Sequence, residues 1–175
     1  MLGSSDFVGL IGVVLGVLLG FGGQLILARR EEVRQLNQAR RELYGQFLTA
    51  IHYSLNHLAE GALNRVNGAI PRGAYGVRFI EDQEKLQAAI SGMELISTIA
   101  VLTVAEQFRE AHWEFASSEA DAEPVDRSKI EKVAFEKIWT EIQENLNRLS
   151  SVNEAFIVAS QHELRISSLV KNRRK

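Results

Sequence analysis

The sequence predicts an all-α protein in which an N-terminal transmembrane helix continues into an antiparallel bundle of three to four long helices. Residues 7–28 form an apolar run that no charged residue interrupts. The chain has two prolines in 175 residues, which favours long helices over many short strands. After the apolar run, hydrophobic residues recur at spacings of three, four and seven, as on amphipathic helices. We expect an extracytoplasmic N-terminus over 1–6, a span over 7–28, a cytoplasmic bundle over 29–170 and a basic tail over 171–175.

The composition excludes several classes of protein. The formal net charge is −2, from 20 Lys and Arg against 22 Asp and Glu, so we expect no nucleic-acid partner. Because the chain has no cysteine, it cannot form a disulfide, a Cys-ligated zinc site, an iron–sulfur cluster or a cysteine nucleophile. Hydrophobic residues at 46% and charged residues at 24% are typical of a folded domain rather than a disordered chain.

The apolar run has the length of a membrane span. As a helix it extends about 33 Å, and the hydrocarbon core of a bilayer is about 30 Å thick. A secretory signal peptide would carry basic residues before the apolar run, whereas here Asp6 precedes it and the first basic residue is Arg29. The sequence therefore predicts an uncleaved single-pass anchor.

Charge asymmetry around the span predicts its orientation. No Lys or Arg precedes the span, and five arginines follow it closely: Arg29, Arg30, Arg34, Arg40 and Arg41. The positive-inside rule then places the N-terminus outside and the C-terminal domain in the cytoplasm, at the inner membrane of a bacterial cell. We expect these arginines to contact lipid at the membrane surface. Arg40 interrupts the apolar stripe of the first arm, and we expect it to extend its guanidinium toward lipid phosphates.

Glycines in the predicted span fall on one face of a helix. Gly12, Gly16 and Gly20 recur every fourth residue, and Gln24 continues the stripe by one turn. Small residues at this spacing let helices approach closely in lipid, where packing and interhelical hydrogen bonds drive association. Glycine is also common in membrane helices that make no such contact. The stripe favours a homo-oligomer or a membrane-protein partner.

The cytoplasmic part is predicted to consist of helical arms joined by surface loops. The first arm runs from Arg29 to Gly61, and its apolar stripe begins with Val33 and Leu36. The Gly-rich segment 64–80 is predicted to be a loop, and the second arm begins near Glu81.

The second arm contains a break whose nature the sequence leaves open. Residues 96–104 are β-branched and hydrophobic like a buried strand, but no second strand is present to pair with them. Thr103 and Glu106 fit a capping box, so we expect a break between Ser97 and Thr103 and a new helix after it. A kink would give three arms and a tail distant from the membrane, whereas a full reversal would give four helices and return the tail to the membrane.

An acidic loop over 117–126 precedes the last and longest arm. Ser128 and Glu131 form a second capping box, which predicts that this helix begins there and runs to about Ile166. Ala134 is expected on its buried face because of its spacing with the apolar residues that follow.

Few residues in the bundle suggest catalysis. Neither HExxH nor the ExxH pairs of di-iron bundles occur around the four histidines. One cluster could hold a metal or handle protons, and it comprises Glu106, Glu110, His112 and Glu114. The simpler interpretation is a solvated acidic face that pairs with lysines of the last helix: Lys129, Lys132 and Lys137. We therefore predict no catalytic residues, no metal and no cofactor.

Several stretches resemble a broad group of uncharacterised small bacterial single-pass membrane proteins. The similar stretches are Gly22-Gly23-Gln24, Arg29-Arg30-Glu31-Glu32, Arg40-Arg41-Glu42-Leu43-Tyr44, Ala155-Phe156-Ile157-Val158-Ala159-Ser160 and Glu163-Leu164-Arg165-Ile166. Members pair a glycine-rich N-terminal span with a cytoplasmic all-helical domain. The resemblance implies that architecture and no activity.

These observations favour a non-catalytic, membrane-anchored helical interaction module, either an adaptor or an accessory subunit, that self-associates or docks a partner. The alternative is a membrane-surface enzyme or metal-binding protein that uses the cluster Glu106, Glu110, His112 and Glu114. A third hypothesis is a small membrane-perturbing protein that acts through the span itself.

Overall fold

The computed structural model describes residues 4–68, 76–122, 125 and 130–172, with side chains between Gln24 and Arg165. Within these ranges the chain forms four helices and no strand. They are α1 (Ser4–Val66), α2 (Gly76–Met93), α3 (Ile99–Asp121) and α4 (Lys132–Asn172). The predicted all-α class is confirmed, and residues 99–104 lie in a helix rather than in a strand.

The four helices form an antiparallel bundle. Each helix packs against the next one in sequence, and α4 packs back against α1. Because α2 and α3 lie side by side, the break in the second arm is a full reversal at residues 94–98 and not a kink. Helix α4 therefore runs back along α1, toward the N-terminal half of that helix.

Helix α1 is much longer than the bundle. Its 63 residues extend about 95 Å, and its buried residues begin at Tyr44. Residues 24–36 are exposed on all sides. Val33 and Leu36, which the apolar stripe predicted to be buried, are each more than one third exposed. The bundle therefore starts further along α1 than the stripe indicated.

The core of the bundle is built around three phenylalanines from different helices. Phe47 of α1 lies between Phe108 of α3 and Phe156 of α4, with ring centroids 6.3 Å and 4.7 Å apart. All three are completely buried. Burying a phenylalanine stabilises a fold by about 1.5–3 kcal/mol, so this trio is a main source of the stability of the bundle.

Helix boundaries differ from those predicted. Helix α1 continues to Val66, and α2 begins at Gly76, so the loop between them is shorter than 64–80. Helix α3 begins at Ile99, ahead of the capping box at Thr103. The last helix begins at Lys132 and continues to Asn172, six residues beyond Ile166. Ser128 lies outside the described residues, and Ala134, which we expected on the buried face of its helix, is exposed.

No helical stretch in the described part of the chain is both long and apolar enough to cross a bilayer. Of the predicted span 7–28, the backbone is helical, but the side chains of residues 7–23 lie outside those described. The membrane span therefore stays a prediction.

Candidate functional site

A buried carboxylate joins three parts of the bundle at the end from which α1 projects. Glu163 of α4 accepts a 2.8 Å hydrogen bond from the hydroxyl of Tyr44 on α1. It also forms a 2.9 Å ion pair with Arg40, one turn earlier on α1. The backbone N–H and the hydroxyl of Thr98 donate to the same carboxylate at 3.2 Å and 3.0 Å. We call Arg40, Tyr44, Thr98, Glu163 and the carbonyl of Ile96 the Glu163 cluster.

The Glu163 cluster also fixes the turn between α2 and α3. Nε of Arg40 donates a 2.6 Å hydrogen bond to the carbonyl of Ile96 in that turn. Thr98 is the N-cap of α3, yet its side chain does not cap the helix. A carboxylate from α4 occupies this position instead, where the positive end of the helix dipole stabilises it. A single buried acid thus holds α1, α4 and the α2–α3 turn together.

Burial changes the acidity of the cluster. It raises the pKa of Tyr44 to about 12, and the negative charge of Glu163 acts in the same direction. The phenol is therefore a hydrogen-bond donor at every physiological pH and not a proton-transfer group.

A second polar cluster lies between α1, α2 and α3, and we call it the His112 cluster: His57, Asp82, Gln83 and His112. Nδ1 of His57 lies 2.8 Å from a carboxylate oxygen of the buried Asp82. The amide of Gln83 contacts Nδ1 of His112 at 2.8 Å and donates to the carbonyl of Arg109 at 3.0 Å. Among the described residues, Nε2 of His112 and the second oxygen of Asp82 are buried without a hydrogen-bond partner.

His112 is neutral in this environment. It is completely buried and stacks on Phe108. Burial lowers the pKa of His112 to about 4, and the nearby His57 acts in the same direction. An imidazole that is neutral at pH 7 accepts the Gln83 amide proton through Nδ1, so the cluster serves as a polar contact between α2 and α3.

A shallow groove of about 620 Å³ runs between α1 and α2 on the outside of the bundle. Its lining combines small apolar residues with polar ones: Gln46, Thr49, Ala50, Tyr53, His57, Lys85, Ala88 and Ala89. His57 is the connection between this groove and the His112 cluster.

Another ion pair lies at the opposite end of the bundle. Arg65 near the end of α1 contacts Glu119 of α3 at 2.6 Å. Burial raises the pKa of Glu119, while Arg65 opposes that shift. The carbonyl of Arg65 also accepts hydrogen bonds from the N–H groups of Gly68 and Val125. The chain is thus fastened at both ends of the bundle.

The structure does not bring together the predicted cluster of Glu106, Glu110, His112 and Glu114. His112 is buried in the core, whereas Glu114 is exposed and pairs with Arg148 of α4 at 2.7 Å. Glu106 pairs with Arg109 on its own helix, also at 2.7 Å. In the described part of the chain, no group of three or more His, Asp or Glu residues is placed to hold a metal ion.

For one of the three lysines that we expected to pair with the acidic face, the structure shows a different partner. Lys132 pairs with Glu136 of its own helix at 3.7 Å instead of with α3. Lys129 lies outside the described residues. The guanidinium of Arg148 on α4 reaches the acidic face of α3 instead, at Glu114.

The predicted membrane-surface residues divide into two groups. Arg29, Arg30, Arg34 and Arg41 are exposed. Arg40 is largely buried in the Glu163 cluster and does not extend toward lipid, because a buried carboxylate and a carbonyl together satisfy its guanidinium. The surroundings of Gly12, Gly16 and Gly20 lie outside what the structure describes, whereas Gln24 is exposed.

Sequence reasoning missed Glu163 and Asp82. The spacing carried a signal for both. Glu163 comes seven residues after the buried Phe156, and Asp82 comes four residues before the buried Leu86, so each carboxylate lies on the apolar face of its helix. A charged residue on such a face is almost never fully buried unless it is paired.

No protein-family model, curated protein or solved structure matches the chain. The resemblance to small single-pass membrane proteins therefore stays a prediction.

Proposed function

We propose that this chain is a non-catalytic, membrane-anchored helical interaction module, an adaptor or accessory subunit that self-associates or docks a partner. The observation that supports this most is the continuity of α1. One helix, Ser4–Val66, contains the apolar run at its start and the first wall of the bundle at its end.

Continuity of this kind favours a rigid connection over a flexible tether. Gly/Ser-rich linkers let domains move independently, whereas α1 has no proline and is helical throughout. Long helices bend gently unless a specific feature kinks them. Movement or rotation of the apolar segment would therefore be transmitted to the bundle, as suits a module that relays contacts made in the membrane.

The polar groups of the bundle support interaction rather than catalysis. Tyr44, His112 and Glu119 have shifted pKa values, and all three side chains lie in helix–helix contacts. Structural networks shift pKa values just as active sites do. The enzyme alternative depended on the cluster around His112, in which the imidazole is buried while the carboxylate of Glu114 is exposed and paired with Arg148.

The proposal includes a location and partners. The module would sit in the inner membrane as a single-pass protein, with its N-terminus outside and its bundle in the cytoplasm. Its contacts would be lipid and either a second copy or another membrane protein, with the stripe of Gly12, Gly16, Gly20 and Gln24 as the contact surface.

A substitution in the stripe tests the association. Gly16→Ile places a branched side chain where two backbones would nearly touch, so we expect crosslinking in membranes to fall several-fold. The variant should still insert, because isoleucine is favourable in lipid. Leu15→Ile, one residue off the stripe, is the matched control and should crosslink like the parent chain.

Membrane extraction provides the second readout for the same proteins. We expect the parent chain and both variants to stay in the membrane pellet after alkaline carbonate washing. Release of the parent chain by carbonate would contradict the anchor. Equal crosslinking of Gly16→Ile and Leu15→Ile would contradict the stripe as the contact and leave association to the bundle.

A further inference from the structure

The turn between α2 and α3 exposes two large apolar side chains. Leu95 is 93% exposed and Ile99 is 83% exposed, the highest values for any large hydrophobic residue in the described part of the chain. Isolated apolar residues are normal on protein surfaces. These two instead flank a short reversal and lie together at one end of the bundle.

The exposure of this turn is fixed by the structure around it. Thr98, immediately before Ile99, is bound through both its N–H and its hydroxyl to Glu163. The carbonyl of Ile96, immediately after Leu95, is bound by Arg40. Because the backbone on the inner side of each residue is held by a buried ion pair, the turn cannot easily rotate to bury Leu95 and Ile99 in the bundle.

The turn lies at the end of the bundle that faces the predicted span. Arg40 marks the level of the turn on α1, and the residues before it, 24–36, project beyond the bundle. This projecting segment carries five exposed charged residues, three arginines and two glutamates, with a net charge of +1: Arg29, Arg30, Glu31, Glu32 and Arg34. The apolar tip and a slightly positive segment therefore share one end of the molecule.

We propose that the α2–α3 turn docks onto the cytoplasmic surface of an anionic bilayer, with Leu95 and Ile99 inserted among the lipid headgroups. The inference rests on the proposed membrane anchor. Anionic headgroups attract the arginines of the projecting segment, and the boundary between headgroups and acyl chains accepts the two apolar side chains. Docking would make the bundle lie against the membrane instead of standing away from it.

The length of the projecting segment determines the geometry of docking. Ala28 and Arg40 are separated by about 18 Å along α1, whereas each headgroup layer is about 5–7 Å thick. An upright α1 would hold the turn clear of the headgroups. A lean of about 40°, at the upper end of the range for membrane helices, lowers the level of Arg40 to about 14 Å above the hydrocarbon core. Because neighbouring helices lie about 8–10 Å from the axis of α1, the same lean lowers the turn by about 6 Å more, to the surface of the headgroups. Docking thus specifies the direction of tilt, toward α2 and α3.

Position favours a bilayer over a second copy as the occupant of this surface. The segment that projects past the turn continues into the predicted span, so a bilayer is the surface that this end of the bundle approaches. The boundary between headgroups and acyl chains offers the two apolar side chains a matching environment there.

Single-cysteine labelling tests the docking, since the native chain has no cysteine. Leu95→Cys and Ile99→Cys carry a nitroxide label at the turn, and Val133→Cys, 76% exposed at the start of α4, is the control. All three sites are exposed, so the folded bundle should be retained, which circular dichroism checks. The full chain is reconstituted into vesicles of phosphatidylcholine with phosphatidylglycerol, and flotation verifies that it is membrane-bound.

Collision rates of the label with oxygen and with a water-soluble nickel chelate then report its surroundings. We expect the ratio of oxygen to nickel collisions at 95 and 99 to exceed that at 133 by several-fold, and to fall in phosphatidylcholine alone. Equal ratios at all three sites in floated vesicles would overturn the docking and leave the anchor intact. Low collision rates with both reagents at the turn would identify a protein contact and overturn lipid as the occupant. Equal immersion in both lipid mixtures would overturn the role of charge, and failure to float would overturn the anchor together with the docking.

Discussion

At the scale of single residues, each helix of the bundle carries at least one largely buried polar side chain on its apolar face, as Arg40, Asp82, His112 and Glu163 show. Their spacing from buried neighbours could be read from the sequence, as for Glu163 seven residues after Phe156. Their partners could not be read, because Arg40 and Glu163 are 123 positions apart in the chain and meet only when α4 has found its register against α1. Hydrophobic spacing thus predicts that a buried polar group exists, whereas tertiary packing decides what it binds.

Removing the charge of Glu163 should destabilise the bundle. Glu163→Gln leaves Arg40 largely buried without a carboxylate, and losing one partner of a buried pair is strongly unfavourable. We expect a loss of about 2 kcal/mol in the free energy of unfolding. Urea unfolding followed by tryptophan fluorescence measures it, because both tryptophans, Trp113 and Trp139, lie in the bundle.

Two further variants make the Glu163 test specific. Glu154→Gln changes an exposed glutamate on the same helix and should alter the free energy of unfolding by less than about 0.5 kcal/mol. The double variant Arg40→Gln/Glu163→Gln removes both charges and should be more stable than the sum of the single effects implies. Strict additivity would show that the two side chains do not interact.

His112 should make the bundle sensitive to mild acid. Its pKa is about 4 when folded and about 6.5 in the unfolded chain, so between these values the unfolded state binds the extra proton. The contribution of the neutral His112 to stability is therefore fully present well above pH 6.5, and it falls as the pH drops toward 4. We expect a loss of about 2 kcal/mol between pH 7 and pH 5, measured by urea unfolding at each pH.

The variant His112→Gln isolates this contribution. It has no titratable group at position 112, so the part of the pH dependence that comes from this residue should disappear even though the core is less stable overall. If the parent chain and the variant lose equal stability between pH 7 and pH 5, the acid sensitivity comes from other groups.

At the scale of helices, the sequence predicted which segments are helical but misplaced their ends. The capping box at Thr103 is a local signal, whereas α3 begins at Ile99 because a carboxylate from α4 binds Thr98 at its N-terminus. A partner that arrives from another helix leaves no trace in a local motif. The same reasoning explains why the sequence could not decide between a kink and a reversal, since the interactions that hold the turn at 94–98 come from Arg40 and Glu163.

Alanine in place of Gly45, inside α1, and of Gly68, just after α1, should change the stability of the bundle in opposite directions. Gly68 has φ +64, and a Cβ atom there would lie 3.1 Å from the carbonyl oxygen of Val125. Gly68→Ala should therefore destabilise the bundle by about 1 kcal/mol or more, since an L-residue is strained in this conformation. Gly45 lies inside the helix with nothing within 4 Å of an added Cβ, so Gly45→Ala should stabilise by about 0.5–1 kcal/mol.

Thermal unfolding of the two alanine variants beside the parent chain checks this pair of predictions. A higher melting temperature for both variants would show that the turn after α1 does not require the left-handed conformation. A lower melting temperature for both would contradict the prediction for Gly45. The comparison is internal, because both substitutions add the same methyl group and neither changes the charge.

At the scale of the whole molecule, the two ends of the bundle differ. Helix α1 projects beyond the end with the α2–α3 turn, where Leu95 and Ile99 are exposed, whereas at the opposite end α1 stops at Val66. The buried pair of Arg40 and Glu163 holds the first end closed, and the pair of Arg65 and Glu119 holds the second. The two ends of the bundle are therefore distinguishable, and a membrane anchor would adjoin only the end from which α1 projects.

The orientation of the protein in the membrane is predicted from the charges that flank the apolar run. Since no Lys or Arg precedes the apolar run and five arginines follow it, we expect the bundle to remain in the cytoplasm. A reporter that is active only in the cytoplasm, fused after Lys175, should give signal. A reporter that is active only outside the cytoplasm should give signal when fused before Met1 and none after Lys175.

Charge variants connect this orientation to its physical cause. Replacing the exposed Arg29, Arg30, Arg34 and Arg41 by glutamine, with lysine introduced at Ser4 and Ser5, leaves only Arg40 closely after the apolar run against two lysines before it, and so reverses the asymmetry of positive charge. We expect a substantial fraction of this variant to insert with the bundle outside, because flanking Lys and Arg set the orientation while acidic residues contribute little. Lys132→Gln and Lys137→Gln remove the same type of charge about 100 residues from the run and should leave the orientation unchanged. If reversing the flanking charges has no more effect than these distant substitutions, the rigid continuation of α1 into a folded bundle determines the orientation, since a bundle that folds before insertion cannot cross the membrane.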